Sequence, residues 1–223
     1  MGSQIQRKPR ILCLHGFRTS AEILKKQVLV WPSTVLEKLD LDFLDAPYPA
    51  QHKSGAEGIY HPPHYEWFQG NQNYTEYTNF EECLAYIEDY MIKSGPFDGS
   101  SYISRVAWNA KRWISLTRVP KIKFLILISG AKFGWSLIGH HELTRNAFSS
   151  PLECPSLHIM GEMDMVKQES TALVQSFVDP FVINHPQGHT VPSLDEKSTE
   201  VMLGFIERIQ KTMATDDEQN LAS

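Results

Sequence analysis

Residues 124–128, Phe-Leu-Ile-Leu-Ile, constrain this chain more than any other stretch. Five consecutive bulky apolar side chains leave no polar face. Extended, such a run must be covered on both sides, which is the situation of a strand inside a parallel sheet. The wider segment 121–131 is therefore the strongest strand in the sequence. Weaker runs of the same kind recur. Residues 10–17 end in His15-Gly16, residues 41–50 run into a Pro-rich turn, residues 154–161 end in Gly161, and residues 181–184 precede a His-rich loop.

Helical patterns separate these runs. Thr19 or Ser20 is placed to cap a helix with Ile23, Leu24, Val28 and Leu29 on one face. Asn79 reads as the cap of a second, with Glu81 and Glu82 in its first turn and Leu84, Ile87, Tyr90 and Met91 buried. Ser104–Leu116 has helical apolar spacing, and Asp195 opens a last helix with Val201, Met202, Phe205 and Ile206 inward. Strands alternating with helices imply an α/β fold, a mostly parallel central sheet covered by helices on both faces. The expected organisation is a flexible N-terminus over 1–9, one domain over 10–211 and a disordered tail over 212–223. Two irregular regions interrupt the pattern, 50–79 and 134–150. The first is rich in aromatic residues, including Tyr60, Trp67 and Phe68, and reads either as a pocket wall or as a cover packed over the sheet edge.

With 223 residues, 42% of them hydrophobic, the chain is long enough for one sizeable α/β core. A net charge of −5 gives no basis for binding nucleic acid or an anionic membrane surface. No stretch approaches the ~18–20 apolar residues of a membrane span. The first ten residues lack the apolar core of a signal peptide, and Gln6 stands where myristoylation needs Ser or Thr. Cys13, Cys83 and Cys154 are too scattered for a disulfide framework or a zinc site, and a reducing intracellular compartment is expected. His52, His61 and His64 lack Cys or carboxylate neighbours at ligand spacing, so no metal is expected.

Sites in parallel sheets lie at the carboxyl ends of the strands. Four features fall there. His15-Gly16-Phe17-Arg18 follows the first strand, and the backbone N–H of Phe17 is placed to donate to an oxyanion. Ser104 follows Phe97-Asp98-Gly99 and its short sequel. Asp164 follows Gly161. His189 lies between the last strand and the last helix. Each alone is compatible with an ordinary turn, cap or surface residue. Serine, then aspartate, then histidine at successive strand ends is the chain order of the α/β-hydrolase triad. In that scheme Ser104 Oγ attacks an acyl carbonyl, His189 carries the proton, and Asp164 holds the imidazole. The N–H groups of Phe17 and Arg105 bind the oxyanion.

The stretches ILCLHGFRTS, GPFDG, VPKIKFLILISGAKF, SSPLECPSLHIMGEMD and HPQGHTVPSLDEK, with FIERIQK near the C-terminus, resemble the FSH-type serine hydrolases. These are small α/β-hydrolases, and the wording is most similar to their plant branch. The resemblance spans roughly residues 8–211. It implies hydrolysis of a small carboxyl ester or thioester, no cofactor, and a cytoplasmic or nuclear location; oligomeric state is left open. It implies the acid at Asp164 and the base at His189.

At the nucleophile the chain departs from the family. After Phe97-Asp98-Gly99 the pattern has two apolar residues and then Gly-Phe-Ser-Gln-Gly-Ala. This chain has Ser100-Ser101 and then Tyr102-Ile103-Ser104-Arg105-Val106-Ala107. Both elbow glycines are gone, and side chains there are expected to crowd the turn. The assignment of Ser104 and Arg105 is therefore positional, and a non-catalytic ligand-binding or interaction protein on the same scaffold is the alternative. Because both flanks match the family, residues 100–116 read as a local replacement, for which altered splicing or a frame shift is one origin. An unbroken exon encoding them in frame would exclude it.

Overall fold

The computed structural model describes residues 7–51, 58–70, 77–103, 118–131 and 150–221. Six parallel strands make the sheet, in the order β10-β9-β8-β7-β1-β2. They are β1 (Arg10–Leu14), β2 (Asp40–Leu44), β7 (Gly99–Ile103), β8 (Phe124–Ile128), β9 (Ser156–Gly161) and β10 (Phe181–His185). Between β2 and β7 lie four two-residue strands, β3 (Tyr48–Pro49), β4 (Tyr65–Glu66), β5 (Gln69–Gly70) and β6 (Tyr77–Thr78), paired antiparallel as β3–β4 and β5–β6. The described helices are α1 (Ala21–Val28), α2 (Ser33–Leu36), α3 (Phe80–Ser94), α4 (Lys167–Val174) and α5 (Glu196–Leu221). None is long and apolar enough to cross a membrane.

The sheet is covered on both faces, as the apolar runs require. In β8 the side chains alternate: Leu125 and Leu127 join a core with Leu84, Ile87 and Met91 of α3, while Phe124, Ile126 and Ile128 join another with α1 and α5. On that second face Phe205 of α5 is fully buried between Phe124 and Phe181, with ring centroids 6.0 and 5.5 Å away. Deleting a ring so enclosed typically costs about 3–5 kcal/mol.

Three local expectations change. Ser20 does cap α1, its hydroxyl accepting from Ile23 N, but the helix ends at Val28; Leu29 turns off the buried face and is 56% exposed. Asn79 precedes α3 but does not cap it with its side chain. Its backbone is left-handed (φ 62°), which asparagine tolerates, and the amide donates to Gln69 Oε1 instead. Residues 212–221 of the expected disordered tail are helical, because the apolar face of α5 continues: Met213 is buried and Lys123 pairs with Asp216 at 3.0 Å. At the other end, residues 7–9 are not loose either. The Arg7 guanidinium grips both oxygens of Asp98 at 2.6 Å.

The stretch leading to Ser104 is the central strand. Gly99–Ile103 pairs with β1 on one side and β8 on the other. Its polar look is deceptive, because Ser100 Oγ donates to the Leu12 carbonyl at 2.9 Å, which satisfies the hydroxyl inside the sheet. Tyr102 is extended strand, 1% exposed, with its ring in the α3-side core. The turn at Ser104, where crowding by Tyr102 is expected, lies outside the described residues. Val106 lies outside the described residues, as does the helical pattern of Ser104–Leu116.

Candidate active site

All six strands point the same way, so their carboxyl ends share one edge. Pairing of Ile103 with Ile128, and of Leu14 with Tyr102, brings the chain out of β7 beside the loop that leaves β1. Ser104 and Arg105 are the next residues after Ile103; both lie outside the described residues. Phe17 lies in the turn after β1.

Asp164 and His189 are brought together. The β9–β10 ladder continues past both strands, Glu162 N donating to His185 O at 2.8 Å and Met163 N to Gln187 O at 3.2 Å. That continuation sets the acid loop against the histidine loop. Asp164 has a side chain only 1% exposed. It accepts from His189 Nδ1, with distances of 3.0 and 3.1 Å to its two oxygens, and from Val166 N at 3.0 Å. A carboxylate facing Nδ1 assigns the proton to that nitrogen and leaves the Nε2 lone pair as the acceptor. The imidazole is about a third exposed. A buried orienting acid and a reachable base are what proton transfer to a substrate needs.

The loop after β1 is organised by His15, which is fully buried. Its Nε2 accepts from Ala46 N at 3.0 Å, so the proton sits on Nδ1, which donates to the Gly16 carbonyl at 2.8 Å. Burial lowers its pKa to about 4, against smaller upward pulls from the Gly16 carbonyl and Asp45, so the ring is neutral near pH 7. Trp67 Nε1 donates to the His15 carbonyl at 2.8 Å, and the two rings lie 5.0 Å apart. The packed reading of residues 50–79 thus holds for Trp67 and Phe68, which are buried in the core. Tyr60 and His61 instead border a cleft of about 260 Å³ with Ser20, Ile23 and Asp45; neither Asp164 nor His189 is among its walls. Residues 132–149, which include most of the second irregular region, lie outside the described residues. No cluster of three or more metal-ligating side chains occurs among the described residues, and His52 lies outside them.

The cysteines offer no rival nucleophile. All three are buried, and burial pushes the Cys83 and Cys154 thiols up to about 12 and Cys13 upward as well. His185, at the end of β10, is buried with neither ring nitrogen hydrogen-bonded. No local pattern singles it out. Nor does any point to the contacts of His15, which join segments some 30 to 50 residues apart.

A six-stranded parallel sheet with an acid–imidazole pair at the ends of adjacent strands has the architecture of an α/β-hydrolase. Among solved structures the chain is similar to a carboxylesterase from Mesorhizobium loti, with a TM-score of 0.58, 15% identity and 87% of each chain covered. It is also similar to acyl-protein thioesterase 2 from Zea mays, with a TM-score of 0.57, 14% identity, and 94% and 97% of the two chains covered. The pattern of the serine hydrolase (FSH1) family matches residues 4–201, and the chain belongs to that family. Relatives include esterase OVCA2 of Homo sapiens, 29% identical over 212 residues covering 84% of this chain and 91% of the relative. The Bos taurus counterpart is 30% identical over 208 residues, covering 82% and 89%.

Proposed function

We propose that this protein hydrolyses small carboxyl esters or thioesters through Ser104, His189 and Asp164. The observation that carries the reading is the Asp164–His189 pair at 3.0 Å, on the strand edge from which the chain also leaves β7 at Ile103. Membership of a serine hydrolase family, with relatives named as esterases, supports it.

In this mechanism Ser104 Oγ adds to the acyl carbonyl and its proton passes to His189 Nε2. The tetrahedral oxyanion takes hydrogen bonds from the N–H groups of Phe17 and Arg105, each worth about 3 kcal/mol in other hydrolases. Collapse expels the alkoxide or thiolate, which receives the proton from His189. Water then attacks the acyl-serine with His189 again as base, releasing the acid and regenerating Ser104. Asp164 holds the imidazole in place and stabilises the imidazolium. Tyr102 itself adopts ordinary extended backbone in β7. A cytoplasmic or nuclear location is part of the proposal.

The test is hydrolysis of p-nitrophenyl butyrate by wild type, Asp164→Asn and His189→Ala. Loss of about 10³–10⁴-fold in kcat in folded variants is expected, because the imidazole loses its working tautomer or is absent. Equal rates in all three would refute the assignment. A folded wild type without activity favours the binding-only alternative.

A further inference from the structure

We infer that Glu66, acting through Arg18, is a positioning residue for the oxyanion-binding loop. The inference rests on the reading of Phe17 as an oxyanion donor and goes beyond it by naming what holds that loop in place. Arg18 follows Phe17 directly. Its backbone is left-handed, φ 55°, a conformation that a residue with a side chain adopts only when its surroundings impose it. Arg18 Nε donates to Glu66 Oε1 at 2.5 Å, and the two side chains are 12% and 3% exposed. The same guanidinium lies 4.5 Å above the Phe17 ring. At the next residue, the Thr19 carbonyl accepts from Tyr65 N at 2.7 Å. The segment 65–67 therefore grips the loop 15–19 at both ends and in the middle, through Trp67, Tyr65 and Glu66 respectively.

Stability alone does not account for an ion pair this deeply buried. Desolvating two charges cancels most of their attraction, and an apolar pair of similar volume usually serves as well. What an apolar pair lacks is direction. The Nε–carboxylate bond fixes the rotation of the Arg18 guanidinium, and the guanidinium in turn holds the Phe17 ring beneath it and so the residue whose N–H is the donor. An N–H that must meet a developing oxyanion requires that orientation, and a misplacement of ~1 Å can cost ~100-fold in rate.

The test compares wild type, Glu66→Gln, Arg18→Lys and the double variant Arg18→Met/Glu66→Met, which strands no buried charge and so keeps the fold. Two readouts are taken: kcat and KM on p-nitrophenyl butyrate, and amide hydrogen exchange across residues 16–19. The expected result is a ten- to hundredfold fall in kcat with KM within about twofold, together with exchange at 16–19 about tenfold faster than in wild type. Arg18→Lys, which keeps the charge but not the planar fork, should recover only part of kcat. Unchanged kcat in the folded double variant overturns the inference, as does faster exchange with no kinetic effect. If wild type shows no Ser104-dependent hydrolysis, the reading of the site has failed instead. Exchange then decides the latch by itself, unchanged rates overturning it and faster rates upholding it.

Discussion

Gly161 has no room for a side chain. A Cβ there would lie 2.4 Å from the Gln187 carbonyl oxygen and 2.5 Å from that of Gly188, both backbone atoms of the loop that ends in His189. The close approach that pairs Asp164 with His189 thus depends on hydrogen at this position. Gly161→Ala should push the histidine loop away and lower kcat at least tenfold, since reacting groups tolerate little displacement. Steady-state kinetics on the folded variant, with unchanged rates, would count against this dependence. Two other imidazoles matter through pH. His15 and His158 are both buried and both lowered by that burial to about 4. Their unfolded forms take up protons first as pH falls. The stability from keeping them neutral is therefore complete above about pH 6.5 and disappears between 6.5 and 4. Each contributes of order 3 kcal/mol across that window. Urea midpoints should drop steeply from pH 7 to 4.5, and His158→Phe should make that drop smaller. A variant with the wild-type slope would contradict the assignment.

Strand β7 is where reading from residues alone was weakest. Phe-Leu-Ile-Leu-Ile announces burial on both faces, whereas Gly99-Ser-Ser-Tyr-Ile103 does not. The strand is central only because its neighbours satisfy it: Leu12 O takes the Ser100 hydroxyl, and the core around α3 takes the Tyr102 ring. These are tertiary facts with no local signature. They make the Tyr102 ring part of the core. Tyr102→Gly should remove a buried ring from the middle of the sheet and cost about 3–5 kcal/mol, read as a fall in the urea midpoint. Stability equal to wild type would mean that the ring is not packed as described. Helix α5 was misjudged for a simpler reason. Its last turns are polar on most of their surface, but Met213 continues the stripe of Met202, Phe205, Ile206 and Ile209, which was present in the sequence to be followed.

The architecture and half of the site were legible because both rest on periodicity and order. Apolar runs marked five of the six sheet strands, all but β7, and the order of Asp164 and His189 after their strands anticipated the pair that forms. The latch around His15, Arg18 and Glu66 was not legible, because it joins segments distant in sequence through burial and hydrogen bonds. The molecule as a whole presents an α/β-hydrolase sheet with Asp164 and His189 hydrogen-bonded at its carboxyl edge. The proposed chemistry converges on one hydroxyl, that of Ser104. Treating the full-length protein with a fluorophosphonate probe and mapping the modified peptide measures that convergence directly. The expected result is a single adduct on Ser104, absent from Ser104→Ala and strongly reduced in His189→Ala. Folded wild type that remains unlabelled, or carries the adduct on another residue, would contradict the account.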